Sequence, residues 1–335
     1  MDTPVDEHPW NAAQAEHGHA GDVRAIAAGA CAGRPVFASG GEDGTIRLWE
    51  AGTSDFLRSI EAHPKPVRAL VFAGDILVSA GEDGLVERWD PATGERIGAP
   101  RPEPVVALAA AGNLVAAAGA DQRLRVWDAS TGAPRADFDV RREVTSISLS
   151  SPGDRLIALV IGELRDDEKH WDDLAVGTLW DATTGAELRE PMLIPDGGGV
   201  GTAGTVNGRP VVVHGIDARK NQPDEWCRPE ERADLNVRDL TTGDLLATLT
   251  HPGYGWNHAV VLVTARSGRT LAFSAGDSKV IAWDPATGHE ITDPHLREFY
   301  TGEVSGLAVT EVDGRFAVAA CVDDQVCIWS ADVPG

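Results

Sequence analysis

The residues of this chain whose types and spacing could support chemistry lie in a few short stretches. Residues 166–173 carry five carboxylates and His170, and such oxygen and nitrogen donors could hold a hard cation. The segment lacks the alternating acidic spacing and the distant glutamate of a calcium loop, so a solvated acidic loop is the favoured interpretation. Acid–base catalysis would need histidines that converge in the fold, and the candidates are His170, His214, His251 and His258.

A second candidate for chemistry is the glycine pattern Gly199, Gly201 and Gly204, which has the spacing of a dinucleotide-binding loop. That loop requires a strand before it and a helix after it, because the helix amides face the pyrophosphate. Here Asn207, Gly208 and Pro210 follow at once and a β-rich run begins. The motifs of zincins, α/β-hydrolases and P-loops do not occur in the sequence. We therefore predict no metal and no cofactor, and we treat an enzyme as the less favoured alternative.

The composition limits the classes of partner. The formal net charge of -23 disfavours nucleic acid and anionic membranes, since binding to both depends on lysine and arginine. The sequence has neither a basic, apolar leader nor a long apolar run, so we expect a cytoplasmic protein. Four cysteines without a C-x-x-C pair suggest free thiols, although Cys321 and Cys327 could face each other across one hairpin. The preference for arginine over lysine is typical of a GC-rich bacterial genome.

The elements that must position these residues come from an internal repeat. A β-rich run that ends in Trp, usually followed by Asp and then Thr-Gly, recurs along the chain. We call the Trp position of each run the Trp slot. The seven slots are Trp49, Trp89, Trp127, Trp180, Arg238, Trp283 and Trp329. Each repeat also has a tight turn rich in Gly, Asn and Asp between its first two β-rich runs. This pattern predicts an all-β fold, a single domain over residues 1–335, in which seven four-stranded antiparallel blades form a closed β-propeller.

These residues resemble the WD-repeat family, and the resemblance extends over residues 18–330. It implies a buried set in each blade: His before strand a, Ser or Thr on strand b, Asp in the b–c turn, and the Trp. The complete sets are His19, Ser39, Asp43 and Trp49 in blade one, and His63, Ser79, Asp83 and Trp89 in blade two. Partial sets are Asp121–Trp127, Asp277–Trp283 with His251 and Ser274, and Asp323–Trp329. A catalytic triad is the alternative, but a unique active site would not recur at fixed offsets.

Only a short stretch follows Trp329, too short for a last strand d. We expect residues 9–17 to pair with the last blade and to close the ring with an N-terminal strand.

Strict antiparallel alternation puts the b–c and d–a connections on one face of the disc. The expanded segments all fall there, as the b–c insertions 162–175 and 217–235 and the d–a connections 195–201, 251–258 and 294–302. Their aromatic residues are Trp171, Trp226, Tyr254, Trp256, Phe299 and Tyr300. Exposed rings of this kind anchor protein interfaces, whereas the alternative is that they pack beneath their own loops.

The sequence therefore predicts a non-catalytic scaffold that binds a protein or peptide, in which blades four to seven present their loops on one face. In WD-repeat proteins this face commonly receives peptides, and the matching positions in blades one and two are Arg24, Glu42, Arg68 and Glu82. These four could also be solvated charges. The different class of function is an enzyme or small-molecule receptor that uses the central funnel. We expect a monomer.

Overall fold

The computed structural model describes nine stretches of the chain, and its named elements are all β-strands. The described residues are 17–151, 155–164, 174–190, 192–194, 201–215, 235–250, 259–276, 280–291 and 304–331. The strands form seven antiparallel sheets, each of which is one blade. The predicted seven-bladed, all-β fold is confirmed.

The first three blades are complete four-stranded meanders. Blade one contains β1 (Val23–Cys31), β2 (Arg34–Gly41), β3 (Thr45–Glu50) and β4 (Phe56–Glu61). Blade two contains β5 (Val67–Ala73), β6 (Ile76–Gly81), β7 (Leu85–Trp89) and β8 (Arg101–Pro102). Blade three contains β9 (Val105–Ala111), β10 (Leu114–Gly119), β11 (Arg123–Asp128) and β12 (Pro134–Asp139).

The outermost strand of blade four is divided into two short pieces that pair with opposite ends of β15. Blade four contains β13 (Glu143–Ser150), β14 (Ile157–Leu164), β15 (Leu174–Asp181), β16 (Ala186–Glu187) and β17 (Met192–Ile194).

Blade five contains β18 (Gly201–Val206), β19 (Arg209–Gly215), β20 (Leu235–Asp239) and β21 (Leu245–Leu249). Blade six contains β22 (Ala259–Thr264), β23 (Thr270–Ala275), β24 (Val280–Asp284) and β25 (His289–Ile291). Within the described residues, blade seven contains β26 (Val304–Val312), β27 (Arg315–Val322) and β28 (Gln325–Ala331).

The innermost strands contact one another in a closed cycle, so the blades form a ring. Strand β1 contacts β5 on one side and β26 on the other, and the Val23 amide donates to the Asp323 carbonyl at 2.8 Å. Within the described residues, the buried apolar side chains fall into seven clusters, one between each pair of neighbouring blades. A single blade has two apolar faces, and the ring buries both of them between neighbours.

Small residues allow this close packing. Gly44 has a φ of 75°, and a Cβ atom there would lie 2.1 Å from the His63 carbonyl oxygen of blade two. The Gly44 carbonyl in turn accepts a hydrogen bond from the His63 amide at 3.0 Å. Only glycine combines this backbone conformation with such a close approach. The b–c turn of blade one is thereby joined to the entry of blade two.

Several details differ from or extend the sequence-based expectations. Pairing of β14 with β15 continues to Leu164 and Leu174, so part of the segment expected to be the insertion of blade four is strand. Cys321 and Cys327 are free and lie in different clusters, because Cys321 pairs with Val326 and Cys327 with Ala320 across the hairpin. The expected closing strand at residues 9–17 lies outside the described residues, apart from His17. None of the described residues forms a helix long and apolar enough to cross a membrane.

Candidate partner-binding face

Five blades carry a β-bulge where their first strand begins, on the side of the disc that holds the b–c turns. We call this side the connection face. The extra residues of these bulges are Arg24, Arg68, Val106, Thr145 and Ser305. A bulge turns one side chain away from the ladder. Arg24 and Arg68 consequently occupy equivalent, exposed positions on neighbouring blades.

Arg24 is engaged with acidic neighbours. Its Nε atom donates to the Glu42 carboxylate at 3.1 Å, and its Nη2 atom also contacts that carboxylate. This hydrogen bond raises the pKa of Arg24 and lowers the pKa of Glu42, and the charge of Glu82 on the next blade adds to the shift at Arg24. Three of the four charged residues predicted for this face are thus electrostatically coupled. They form a mixed-charge edge that extends across blades one and two.

The two long insertions begin and end on strands whose ends lie at this same face. Glu143 of β13 pairs with Glu163 of β14, and Thr145 forms the bulge beside that pair. The insertion of blade four follows Leu164 directly, and that of blade five joins Gly215 to Leu235, the last pair of its b–c ladder. The aromatic residues expected here, Trp171, Trp226, Tyr254, Trp256, Phe299 and Tyr300, all lie outside the described residues.

A buried polar network ties blade one together. The Trp49 indole N–H donates to Ser39 Oγ at 3.0 Å, and Ser39 Oγ lies 2.9 Å from His19 Nε2. His19 Nδ1 lies 3.0 Å from an oxygen of Asp43, which also accepts from the Ala20 and Thr45 amides. Each group has a partner, so the network can be buried without a large desolvation cost.

Protonation states in this network follow from burial and hydrogen bonding. Burial lowers the pKa of His19, and the nearby Asp43 opposes that shift only in part. Burial alone would raise the pKa of Asp43, but hydrogen bonds from Ala20, His19 and Thr45 more than offset it and hold that pKa well below its usual range. The stabilisation from Asp43 is therefore present above its ordinary pKa and is lost as the pH falls below it.

Blade two repeats the same arrangement. His63 Nε2 lies 2.7 Å from Ser79 Oγ, which accepts from the Trp89 indole at 2.9 Å, and His63 Nδ1 lies 3.0 Å from Asp83. The same hydrogen-bonded set occurs deep inside two blades. We therefore assign these side chains a role in stabilising the blades. They do not form a reaction centre open to substrate, since the Ser39 and Ser79 side chains are fully buried.

Replacing Ser79 by alanine is expected to lower the free energy of unfolding by about 1–3 kcal/mol, because the Trp89 indole and His63 would both lose a buried partner. Ser150 offers a matched control, since its buried Oγ has no hydrogen-bond partner among the described residues. The Ser150→Ala variant should be neutral or slightly stabilising. Denaturant unfolding of both variants measures the difference, and equal losses would contradict the role of Ser79.

The other blades depart from this set in different ways. In blade six, Ser274 Oγ accepts from the Trp283 indole at 2.8 Å, whereas His251 and Asp277 lie outside the described residues. In blade four the indole of Trp180 donates at 2.9 Å to Thr178, which lies on strand c. Sequence reasoning missed Thr178, although a hydroxyl residue two positions before a Trp slot is a usable signal.

In blade five, other residues replace both the serine and the tryptophan of the set. His214 occupies the serine position of strand b, and Arg238, in the Trp slot, donates to the Gly243 carbonyl at 3.1 Å. The His214 ring is fully buried, and neither nitrogen has a hydrogen-bond partner of normal geometry within the described residues. Burial, and secondarily the charge of Arg238, lower the pKa of His214 to about 4, while the Gly215 backbone opposes this weakly. His214 is therefore neutral at neutral pH.

The residues that suggested chemistry are not assembled into a reactive site in the described part of the chain. Gly201 and Gly204 lie within strand β18, which turns at Asn207–Gly208 directly into β19, so no helix follows them. His214 is buried, and His170, His251 and His258 lie outside the described residues. Among the described side chains, no three of His, Cys, Asp or Glu could hold a metal ion together.

Comparison with known proteins supports the same class of fold. A family model described as WD domain, G-beta repeat matches residues 13–50 and 54–90, each ending at or just after a Trp slot. The crystal structure of a computationally designed protein, Ika8, is similar with a TM-score of 0.59 and 22% sequence identity, over 93% of this chain and 97% of that chain. Identity at this level shows the fold alone. No curated protein matches the chain.

Together, the seven sheets and the closed cycle of inner strands define a β-propeller. Its first two blades match the family model and contain the complete polar sets. The chain is a seven-bladed β-propeller with two recognised WD repeats.

Proposed function

We propose that this protein is a non-catalytic scaffold that binds a protein or peptide on its connection face, with blades four to seven contributing the largest loops. WD-repeat propellers generally bind proteins. The observation that carries the proposal is that both long insertions connect strand ends at the same face that carries the exposed bulge residues Arg24 and Arg68. A structural insertion has no reason to favour one face, whereas a binding surface does.

The chemistry of the face favours a polypeptide partner. Arg24, Glu42 and Glu82 form a mixed-charge edge, and aromatic residues of the insertions would supply apolar anchors beside it. Such a combination is typical of a protein interface, in which a few aromatic and arginine side chains provide most of the affinity. A net charge of -23 opposes nucleic acid as the partner.

A triple variant, Trp171→Ala, Trp226→Ala and Trp256→Ala, tests the proposal. The tagged wild-type protein is used to capture partners from its native cells, and each captured protein is then purified and titrated against both forms. We expect the triple variant to lose binding by about 30-fold or more, since one interface hot spot is worth about 2 kcal/mol. Its melting temperature should stay close to that of the wild type.

Exposed arginines of the opposite face provide the control. Arg34 and Arg209 lie beside the a–b turns, with side chains 77% and 58% exposed. The Arg34→Ala, Arg209→Ala double variant should bind as tightly as the wild type. Retained binding by the triple tryptophan variant, or loss of binding by the arginine variant, would contradict the proposed face.

A further inference from the structure

Blade three lacks the serine that satisfies the buried tryptophan in other blades. Ala117 pairs with Arg125 across β10 and β11, in the register at which Ser39 pairs with Arg47 and Ser79 with Glu87. Arg125 instead forms an ion pair with Asp121, with Nη2 2.5 Å from Oδ2. The indole N–H of Trp127 is buried and has no hydrogen-bond partner among the described residues.

The histidine of the set is also replaced in blade three. The Glu103 amide donates to the Gly84 carbonyl, just as the His63 amide donates to the Gly44 carbonyl one blade earlier. Glu103 therefore stands at the entry position that His63 occupies in blade two. One of its carboxylate oxygens accepts from Arg101 at 2.9 Å, whereas the other is buried and has no partner in the part of the chain that the structure describes. Arg101 also lies over the Trp127 ring, 4.9 Å from its centroid.

The other blades show what the Trp127 indole requires. In blades one, two, four and six a hydroxyl oxygen accepts from the slot indole, at 2.8–3.0 Å. In blades one and two that same hydroxyl lies 2.7–2.9 Å from a histidine nitrogen, so a single oxygen atom joins the indole to the entry residue. Blade three retains a donor at one end and an acceptor at the other, but its own side chains supply no oxygen between them.

We propose that blade three binds one buried water molecule at the position of the serine hydroxyl, where it accepts from the Trp127 indole and donates to Glu103. The direction of hydrogen bonding is then the same as in blades one and two, with the carboxylate in the role of the imidazole acceptor. Buried waters characteristically join polar groups that would otherwise lack partners. Relative to blade two, a hydroxyl group and part of a ring are missing at these two positions. This site is independent of the proposed partner-binding function.

The first test uses the wild-type protein, with the Trp127 indole resonance assigned from the Trp127→Phe variant. We expect a cross-peak between this indole proton and a long-lived water in NMR, and a single water peak between Trp127 and Glu103 in a high-resolution crystal structure. An indole proton without a water contact, or a crystal structure in which Glu103 contacts the indole directly, would overturn the proposal.

The second test replaces the water with a side chain. The Ala117→Ser variant supplies the hydroxyl covalently, so the water cross-peak should disappear and the melting temperature should rise by about 2 °C. Ala118 is the matched control, because it is equally buried on the same strand and packs into the apolar cluster between blades three and four. Ala118→Ser should lower the melting temperature. A cross-peak that persists in Ala117→Ser, or equal destabilisation by both variants, would overturn the proposal.

Discussion

Replacing Trp49 by alanine is expected to lower the free energy of unfolding by about 3–5 kcal/mol, the range for a large buried aromatic residue. Trp49 is 1% exposed and lies in the cluster between blades one and seven. The substitution would remove its edge contact with Phe56, at a centroid distance of 5.5 Å, and would leave Ser39 without its donor. It would therefore combine a cavity with a broken polar network at the seam where the two ends of the repeat array meet.

Two further variants separate these contributions. Trp49→Phe keeps most of the buried ring but removes the N–H, so it should cost about 1 kcal/mol more than the lost area alone. Leu57→Ala removes an apolar side chain that is 42% exposed and should change stability by less than about 0.5 kcal/mol. Denaturant unfolding measures all three. A loss below about 1 kcal/mol for Trp49→Ala would contradict the packing described here.

Acidification is expected to destabilise the wild-type protein more than a His214→Ser variant. The pKa of His214 is lowered from 6.5 to about 4 in the fold. Because the unfolded chain then binds the proton more readily, stability is lost as the pH falls from about 6.5 towards 4. At about pH 5 this one group should cost about 2 kcal/mol relative to pH 7.

The measurement is the pH dependence of unfolding for both proteins between about pH 7 and 5. The difference between their slopes isolates His214, because His19 and Asp43 contribute equally to both. His289→Ser serves as a control, since His289 is exposed on the outer strand of blade six. Parallel pH profiles for wild type and His214→Ser would contradict the burial of a neutral imidazole between blades four and five.

The fold was predictable because its repeat is marked by short sequence features, the tight turns and the Trp slots. The tight turns at Gly33, Gly74, Gly112 and Gly208 adopt the positive φ angles that their residue types suggested. The tryptophans of the slots lie at the ends of their strands c, where apolar alternation indicated. Each of these features depends on neighbours in sequence, so no tertiary information was needed.

The hydrogen-bond and ion-pair partners within the blades were less predictable, because they depend on how separate strands and turns come together. Thr178 satisfies Trp180 from strand c, although the family pattern places the hydroxyl on strand b. Asp121 occupies the aspartate position of the family pattern, but it pairs with Arg125, because blade three has no histidine with which it could form the usual hydrogen bond. The bulges that turn Arg24 and Arg68 outward are shifts of register between two strands, and the sequence pattern does not encode them.

The candidate site was also predictable only in part. Parity of the strands assigns the insertions to one face, and this needs only the count of strands in each blade. The electrostatic coupling of Arg24 with Glu42 and Glu82 could not be inferred, because the residues come from one strand and two turns that belong to two blades. A binding role for Trp171, Trp226 and Trp256 remains a prediction.

The most direct test of the proposed function is hydrogen–deuterium exchange of the protein alone and in complex with a captured partner. Protection on binding should fall on segments 162–175 and 217–235 and on the entry of β1 around Arg24, which make up the proposed partner-binding face. The a–b turns around Arg34 and Arg209 should exchange at unchanged rates. Protection confined to those a–b turns, with no change in the insertions, would contradict the account.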